Sequence, residues 1–378
     1  MFYLKIIQEI EKQIDGELKL CPDTDITHRM HGNCFWLNSE EQIVGLNLYY
    51  VSIKKLNCLN ALPHLTHLYL AHSQISDLSV LNALPNLIRL NLWHNNISDL
   101  SGLKALPNLT WLNLWHNKIS DLSGLEFLHN LTELNLCQNQ ISDLTVLKAL
   151  PNLTKLDLST NQINDISVLE CLPNLIRLDL GFNKISSLGG LRPLLNLTQL
   201  KLCDNEITDL NDLETLTNLT NLDLGENKIT DLSPLKVLSN LTHLDLMDNE
   251  IIDLSGLETL TNLTELKLCF NKIRDLSPLK ALSNLTHLDL MDNEISDLSG
   301  LETLSNLAEL DLTTNKIRVL PKWLLDFHLS ITLEPDERGY SEILIDDNPL
   351  ESPPIDIIKQ GKNTIRAYFE QTHRNRFT

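Results

Sequence analysis

The chain has 378 residues, of which 42% are hydrophobic, and its 50 acidic and 30 basic residues give a formal net charge of −20. This acidity argues against nucleic acid and anionic membranes as partners, because both require a basic surface. No stretch approaches the roughly 20 consecutive apolar residues of a membrane-spanning helix. We therefore expect neither nucleic acid nor a membrane as a partner.

Residues 1–39 predict an N-terminal cap made of a helix and a hairpin. Apolar residues recur there at helical spacing: Ile6, Ile7, Ile10, Ile14 and Leu18. This pattern predicts an amphipathic helix over about residues 3–18. Two apolar runs follow, Cys34–Leu37 and Gln42–Leu48, and the polar residues between them predict a hairpin.

The same segment bears on the cellular compartment. Acidic residues interrupt the apolar ones near the N-terminus, so the uninterrupted apolar run of a signal peptide is absent there. The seven cysteines are scattered, odd in number and form no Cys-x-x-Cys pair. Because disulfides are rare in reducing compartments, this cysteine usage predicts a cytoplasmic protein.

Residues 40–319 are built from a block of 22 residues with the framework L-x-N-L-T-x-L-x-L-x-x-N-x-I-x-D-L-x-x-L. Leucines alternate with polar residues in Leu90-Asn91-Leu92, which is typical of a strand with one buried face. Ile97, Leu100 and Leu103 are three residues apart, which suits a 3₁₀ or helical turn. The repeat predicts an α/β solenoid with a parallel sheet on its concave side and short turns on its convex side.

Two polar columns run through the repeats and are interpreted as structural. Asparagine amides, which carry both donors and an acceptor, can satisfy the backbone where the chain turns after each strand. They are Asn95, Asn117, Asn139, Asn161, Asn183, Asn205, Asn227, Asn249, Asn271, Asn293 and Asn315. The second column, beginning with Asp77 and Asp99, precedes the convex turn, where a carboxylate can accept backbone N–H bonds.

The exposed face of the first strands holds the candidate binding site. Aromatic residues make up only 5% of the chain, yet they concentrate there. Interfaces are enriched in Trp, Tyr and Arg, which favours contact with a partner. Cross-strand packing without a partner, or contact with the N-terminal cap alone, is the alternative. The candidate partner-binding residues are Tyr49, Tyr50, His67, Tyr69, His72, Arg89, Trp93, His94, Trp111, Trp115 and His116.

The histidine column His72, His94 and His116 raises the question of a metal site. Zinc requires imidazole nitrogens that converge at about 2.0–2.1 Å from the ion, and a straight row at strand spacing converges poorly. A pH-sensitive contact surface suits these histidines better, because histidine titrates near neutrality. We expect no metal and no cofactor.

Catalysis requires an acid–base pair or a nucleophile held in a cleft, whereas the repeats offer an open sheet with interchangeable polar positions. We therefore expect neither enzymatic activity nor a small-molecule substrate. Beyond Asp157 the exposed face turns acidic, which favours a solvated surface or, alternatively, the steering of a basic partner. The sequence of Leu238–Ile251 returns unchanged at Leu282–Ile295, which indicates duplication of a two-repeat unit.

Residues 320–378 predict an atypical last repeat and a capping helix. Leu320-Pro321 opens a pattern that differs from the repeats, and Glu342–Ile345 is expected to form a last strand. A helix is expected to start at Pro353-Pro354. Its apolar side would carry Ile357, Ile358, Ile365, Tyr368 and Phe369.

The repeats resemble the 22-residue leucine-rich repeats of internalins. The ends, FWLNSEEQIVGLNL before the repeats and VLPKWLL with DDNPLESPPIDIIKQGKNTIRAYFEQ after them, resemble the leucine-rich domain of bacterial Roco proteins. In that family the Asn-Pro-Leu-x-Ser-Pro-Pro segment and the next helix close the repeats, and a Roc GTPase domain with a COR dimerisation domain commonly follows. The resemblance implies a bacterial leucine-rich repeat solenoid with a Roc–COR unit as its partner.

GTP binding is not carried over from this resemblance. The chain contains no Gly-x-x-x-x-Gly-Lys-Ser/Thr phosphate loop, and its one Gly-Lys pair, Gly361-Lys362, lacks the upstream glycine.

Three functions remain open at this point. The most favoured is a non-catalytic protein-interaction scaffold that binds a partner on the concave face. The alternative is the regulatory leucine-rich arm of a Roco-type GTPase whose GTPase domain is absent from these 378 residues. The third is an exported, internalin-like adhesin, which requires a signal peptide upstream of Met1.

Overall fold

The computed structural model describes residues 2–14, 16–21, 32–51, 56–333 and 342–374. These residues form two compact units, which we call unit 1 (Met1–Asn196) and unit 2 (Leu197–Thr378). The three-part division at residues 39/40 and 319/320 stays a prediction.

Unit 1 begins with one helix and continues as strands. β1 runs parallel to β2, β2 pairs antiparallel with β3, and β3 to β9 pair in parallel in chain order. The elements are α1 (Phe2–Ile14), β1 (Lys19–Leu20), β2 (Cys34–Leu37), β3 (Ile43–Asn47), β4 (His67–Tyr69), β5 (Arg89–Asn91), β6 (Trp111–Asn113), β7 (Glu133–Asn135), β8 (Lys155–Asp157) and β9 (Arg177–Asp179).

Unit 2 carries the remaining repeats and the C-terminal helices. β10 to β15 pair in parallel in chain order, and β17 then pairs with both β15 and β16. The elements are β10 (Gln199–Lys201), β11 (Asn221–Asp223), β12 (His243–Asp245), β13 (Glu265–Lys267), β14 (His287–Asp289), β15 (Glu309–Asp311), β16 (Ser330–Thr332), β17 (Glu342–Leu344), α2 (Ile355–Ile358) and α3 (Lys362–Arg374).

A 3₁₀ turn lies opposite the strand in most coils. Each strand from β4 to β15 contributes its central leucine to the core, and the turns contribute further leucines, such as Leu103 and Leu125, that are fully buried. The turns are Leu56–Ala61, Ser79–Ala83, Ser101–Ala105, Leu125–Phe127, Thr145–Ala149, Ser167–Cys171 and Gly189–Leu191 in unit 1, and Asn211–Leu213, Ser233–Val237, Leu257–Thr259, Ser277–Ala281 and Lys322–Asp326 in unit 2.

Each residue of the aspartate column lies just before a convex turn and accepts a hydrogen bond from the backbone of that turn. Asp99 Oδ1 accepts the backbone N–H of Ser101 at 2.8 Å, and the same bond recurs along the column. The predicted role of these carboxylates is therefore confirmed. Adjacent coils come so close here that a Cβ on Gly124, whose φ is +115°, would lie 2.5 Å from the carbonyl oxygen of Leu100.

The asparagine ladder joins each coil to the one before it. In unit 2, Asn249 Nδ2 donates to the carbonyls of Leu224 (3.0 Å) in the preceding coil and of Leu246 (3.2 Å) in its own coil. Its Oδ1 accepts the N–H of Ile229 at 3.0 Å. The predicted structural role of this column is confirmed, and the side chains are largely buried.

A second polar ladder explains the recurring Asn-Leu-Thr. Asn108 Nδ2 donates to the carbonyl of Pro85 at 3.0 Å, and Thr132 Oγ1 donates to the carbonyl of Thr110 at 3.0 Å. Each bond links one coil to its predecessor. The tripeptide therefore recurs for a reason that lies in the stacking itself.

The helices and strands at both ends of the chain differ in detail from those predicted from the sequence. α1 ends at Ile14 rather than near residue 18. The predicted hairpin is β2 with β3, and the predicted last strand is β17, although β16 was not anticipated. The expected single C-terminal helix is wrong, because the chain breaks into α2 and α3 at Gly361, where φ is +87°.

Parallel strands, one per coil, together with 3₁₀ turns and few helices confirm the predicted fold class, a leucine-rich repeat solenoid.

We expect Asn249→Ala to lower the free energy of unfolding by about 1–3 kcal/mol, because it leaves buried backbone groups unsatisfied. The matched control is Asn262→Ala, which removes an exposed amide with one hydrogen bond, to the carbonyl of Ser239. Urea denaturation of both variants measures the difference. Equal losses would contradict the assigned role of the buried column.

Candidate functional site

Strands β3 to β6 of unit 1 present sixteen side-chain positions in four columns on the exposed face of the sheet. The pairing register aligns the first two columns, and backbone hydrogen bonds continue the alignment through the other two. The columns are Gly45, His67, Arg89, Trp111; Asn47, Tyr69, Asn91, Asn113; Tyr49, Ala71, Trp93, Trp115; and Tyr50, His72, His94, His116.

Two indoles form the centre of this face. Trp93 and Trp115 stack with their ring centroids 4.8 Å apart and their planes 9° from parallel. The side-chain oxygens of Asn91 and Asn113 accept the backbone N–H groups of Trp93 (3.0 Å) and Trp115 (2.9 Å). The predicted side-by-side arrangement of the indoles is confirmed, and the asparagines in the second column hold their backbone.

A ladder of imidazoles runs beside the indoles. His72 stacks on His94 at 4.0 Å and His94 on His116 at 4.1 Å between ring centroids. Tyr50, which is 69% exposed, extends the stack onto His72 at 4.4 Å. All four residues have φ between +54° and +56°, so the chain turns at each of them. We call Tyr49, Tyr50, His72, Trp93, His94, Trp111, Trp115 and His116 the aromatic window.

The first column contributes a fixed cation. The Cζ atom of Arg89 lies 5.9 Å from the ring centroid of Trp111, within cation–π range. Tyr69, beside Arg89, is only 5% exposed, and its ring lies 6.3 Å from that of Trp111. Burial raises the pKa of Tyr69, while the neighbouring Arg89 opposes that rise. Tyr69 therefore packs beneath Arg89 and Trp111 and is not itself accessible to a partner.

Sequence reasoning did not anticipate Trp36. This residue of β2 is 2% exposed and packs over the start of the face, with its ring 5.9 Å from that of His67 and 6.2 Å from that of Tyr69. Its cross-strand partner is Gly45, where a Cβ would lie 1.6 Å from the Trp36 ring. A glycine inside a strand signals such a close approach, so Gly45 was the available clue.

Lowered pKa values hold His67, His72 and His94 toward their neutral form. Burial lowers the pKa of His72, and the neighbouring His94 and His116 lower it further. Burial and then His116 lower the pKa of His94 in the same way. Burial and the positive charge of Arg89 lower the pKa of His67. Adjacent stacked rings disfavour a second proton because like charges repel at this distance.

The structure brings all eleven candidate residues onto four adjacent coils, where they lie on β4 to β6 or directly after β3 to β6. Most of their rings contact a neighbouring ring along the sheet. His67 and Tyr69 also contact the ring of Trp36, which covers them in part. Their role in binding stays a prediction. In the described part of the chain, no three His, Cys, Asp or Glu side chains come together in a way that could hold a metal ion.

The equivalent positions on β10 to β15 of unit 2 have a different character. Lys267 Nζ lies 3.2 Å from Asp245 and 3.7 Å from Glu265, and burial raises the pKa of Asp223 and Asp289. Carboxylates occupy ten of these positions: Asp204, Asp223, Glu226, Asp245, Asp248, Glu265, Asp289, Asp292, Glu309 and Asp311.

Comparison with known families agrees with this geometry. The family described as Leucine Rich repeats (2 copies) matches residues 63–105, 85–126, 107–149, 151–193, 195–237, 239–281 and 283–322, more than half of the chain. The chain therefore belongs to the leucine-rich repeat family. No curated protein sequence matches the chain.

Several solved structures share the fold. An internalin, InlF of Listeria monocytogenes, is 34% identical with a TM-score of 0.72, and the match covers 74% of this chain and 83% of InlF. A leucine-rich repeat protein of Leptospira interrogans is 26% identical with a TM-score of 0.72, covering 81% and 78% of the two chains. A plant peptide hormone receptor, RGFR1, is 20% identical with a TM-score of 0.63, covering 83% and 60%, and shows the fold alone.

Among the described helices, none combines the length and apolar character needed to cross a membrane.

We expect Gly45→Ala to lower the thermal midpoint sharply and to change the intrinsic fluorescence, because the new methyl group must displace Trp36 from the sheet. The matched control is Gly225→Ala, where the nearest atoms to the new Cβ would lie at 3.5 Å. Differential scanning calorimetry and tryptophan emission measure both effects. A Gly45→Ala protein that melts and fluoresces like the parent would refute the close approach.

Acidification should destabilise the folded protein through the imidazole ladder. The pKa values of His72 and His94 are lowered in the folded state, so the unfolded chain binds more protons below about pH 6.5. The stability contribution is fully present above that pH and is lost as the pH falls toward the folded-state values. Thermal midpoints between pH 8 and 5.5 measure this loss.

The triple variant His72→Gln, His94→Gln and His116→Gln should show a smaller loss over this range, since Gln138 already occupies the same column with φ of +55°. The control, His243→Gln with His287→Gln, replaces exposed histidines of unit 2. If the triple variant and the control have the same pH dependence, the ladder does not carry the effect.

Proposed function

We propose that this chain is a non-catalytic scaffold that binds a protein partner through the aromatic window of unit 1. The observation that carries the proposal is the stacked Trp93–Trp115 pair, which stands on the exposed side of the sheet instead of in the leucine core. Leucine-rich repeat proteins generally serve as binding scaffolds, which supports a binding role.

The physical chemistry of the window favours an interface. Tryptophan and tyrosine dominate binding energy at interfaces because each presents a large, rigid apolar surface with a polar edge. The window supplies three indoles and two phenols, and the backbone of two of the indoles is fixed by Asn91 and Asn113. A pre-organised surface loses little side-chain entropy when a partner binds.

Within the part of the chain that the structure describes, packing against the N-terminal cap does not account for the window. The cap's Trp36 contacts the rings of His67 and Tyr69, at the start of the face. Among the described residues, no aromatic ring of the cap packs on Trp93 or Trp115, which remain partly exposed. Stacking between the two indoles stabilises their orientation without covering their outer edges.

The double variant Trp93→Ala with Trp115→Ala should weaken partner binding strongly and leave the thermal midpoint close to that of the parent. Ala71 precedes these residues in the same column, so alanine suits the backbone there. Parallel pull-downs from cell extract with the parent and the variant, followed by mass spectrometry of the captured proteins, measure the change.

The matched control removes two other exposed aromatic rings, Phe182→Thr with Phe270→Thr, because Thr160 and Thr314 occupy the same column with φ of +55°. The control should capture the same partners as the parent. Normal capture by the double tryptophan variant, combined with a large fall in its thermal midpoint, would show that the indoles are structural.

A regulatory arm of a Roco-type GTPase is the second candidate. It is favoured by the Asn-Pro-Leu-x-Ser-Pro-Pro segment, which closes the repeats here as the resemblance implies. Asn348 Nδ2 donates to the carbonyls of Leu312 (2.8 Å) and Ile345 (3.0 Å), and its Oδ1 accepts the N–H of Ile317 at 3.0 Å. The test is the reading frame downstream of the Thr378 codon, where a phosphate-loop motif would support this role.

An exported adhesin is the third candidate, and the similarity to InlF favours it. We retain the cytoplasmic location as our proposal, supported by the scattered cysteines, which are odd in number and form no Cys-x-x-Cys pair. Fractionation of the native cells with an antibody against the chain separates the two. Recovery in the cell-wall or medium fraction would overturn the cytoplasmic assignment.

A further inference from the structure

We infer that the segment bound by the aromatic window is an extended peptide with a side-chain carboxylate next to an apolar residue, and that Arg89 receives the carboxylate. This inference rests on the proposed function and names the chemistry of the partner.

The charge pattern of the sheet face supplies the first argument. None of the sixteen positions on β3 to β6 is acidic, although the chain as a whole carries a charge of −20. Those positions hold one arginine and four histidines, whereas ten equivalent positions of unit 2 are carboxylates. Complementary charge sets the choice of partner at interfaces, so an acidic group fits this face and a basic one does not.

Arg89 supplies the second argument. Its guanidinium lies over the Trp111 ring, with Cζ 5.9 Å from the ring centroid, and beside Tyr69, so these neighbours restrict its orientation before a partner arrives. Among the described residues no carboxylate forms an ion pair with it. A guanidinium has five N–H donors, and its fork matches a carboxylate with two parallel bonds. Arg89 therefore keeps the capacity to bind an acidic side chain.

The neighbours of Arg89 indicate the rest of the segment. Trp93 and Trp115 offer apolar edges for an aliphatic or aromatic side chain. The amide of Asn91 uses its oxygen on the Trp93 backbone, and its nitrogen pairs with no described group. Asn91 is 8% exposed, so its amide N–H suits only a peptide carbonyl that approaches closely beside the indole edges.

Single-stranded RNA is the competing ligand, since aromatic rings also stack on bases. Binding a phosphate backbone requires a groove lined with several cations. Arg89 is the one permanently charged cation among the sixteen positions, so the face fits a single carboxylate better than a row of phosphates.

The probe is a library of random twelve-residue peptides displayed at the N-terminus of a phage coat protein, which leaves no free peptide C-terminus. Selection is run on the parent, on Arg89→Glu and on the double tryptophan variant. The matched control is Arg177→Glu, which reverses an exposed charge in the same column on β9.

The parent and the control should enrich peptides that carry Asp or Glu beside an apolar residue, and Arg89→Glu should enrich Lys or Arg in its place. Calorimetry with a selected peptide should show binding to Arg89→Gln that is about tenfold weaker or more. The thermal midpoint of Arg89→Gln identifies any loss that comes from unfolding.

Several outcomes would overturn the inference. Peptides that depend on Trp93 and Trp115 but show no acidic preference would refute it while leaving the proposed function standing. Equal binding by a peptide that lacks Asp and Glu but has a free C-terminus would refute the side-chain assignment. Tighter binding of a uridine 20-mer than of any selected peptide would replace the peptide with RNA, and selection of no peptide at all would count against both proposals.

Discussion

The amide of the ladder asparagine holds each coil to its predecessor while it completes the turn of its own coil. Asn95 Nδ2 donates to Leu70 in the preceding coil and to Leu92 and Trp93 in its own. A coil without a neighbour would leave these groups unsatisfied, which is why the fold exists only as a stack. These bonds recur every 22 residues along the ladder and again at Asn348, 33 residues after Asn315. The same bonds position the backbone that carries Trp93.

One residue in each coil turns the chain with a positive φ, and from His94 to Asp292 it directly precedes a ladder asparagine. Its φ lies between +50° and +57° from Tyr50 through Asp292, although none of these residues is glycine. A left-handed non-glycine residue costs about 1–2 kcal/mol, which the ladder bonds on either side offset. The backbone there is fixed while the side chain is free to vary. A straight row of side chains results, and in four coils that row is Tyr50, His72, His94 and His116.

The sequence predicts the features that recur in every repeat and misses those that do not recur. Period-two leucines and the asparagine column identified the strands, the turns and the fold class, because each reports a local hydrogen-bond or burial requirement. The side-by-side indoles followed from strand spacing alone. Trp36 over Gly45, the burial of Tyr69 and the break at Gly361 depend on contacts between segments with no repeat to relate them. The repeat pattern therefore predicts the regular coils. The contacts between non-repeated segments near the ends are visible only in the structure.

The identical stretches Leu238–Ile251 and Leu282–Ile295 occupy equivalent places in the ladder of unit 2. Asn249 and Asn293 make the same bonds, to Leu224 and Leu268 respectively, at 3.0 and 2.9 Å. A gene segment encoding 44 residues can therefore be lost or gained by unequal recombination without creating a foreign junction. Gain or loss of such a unit would change the number of coils by two and leave the residues on β3 to β6 unchanged.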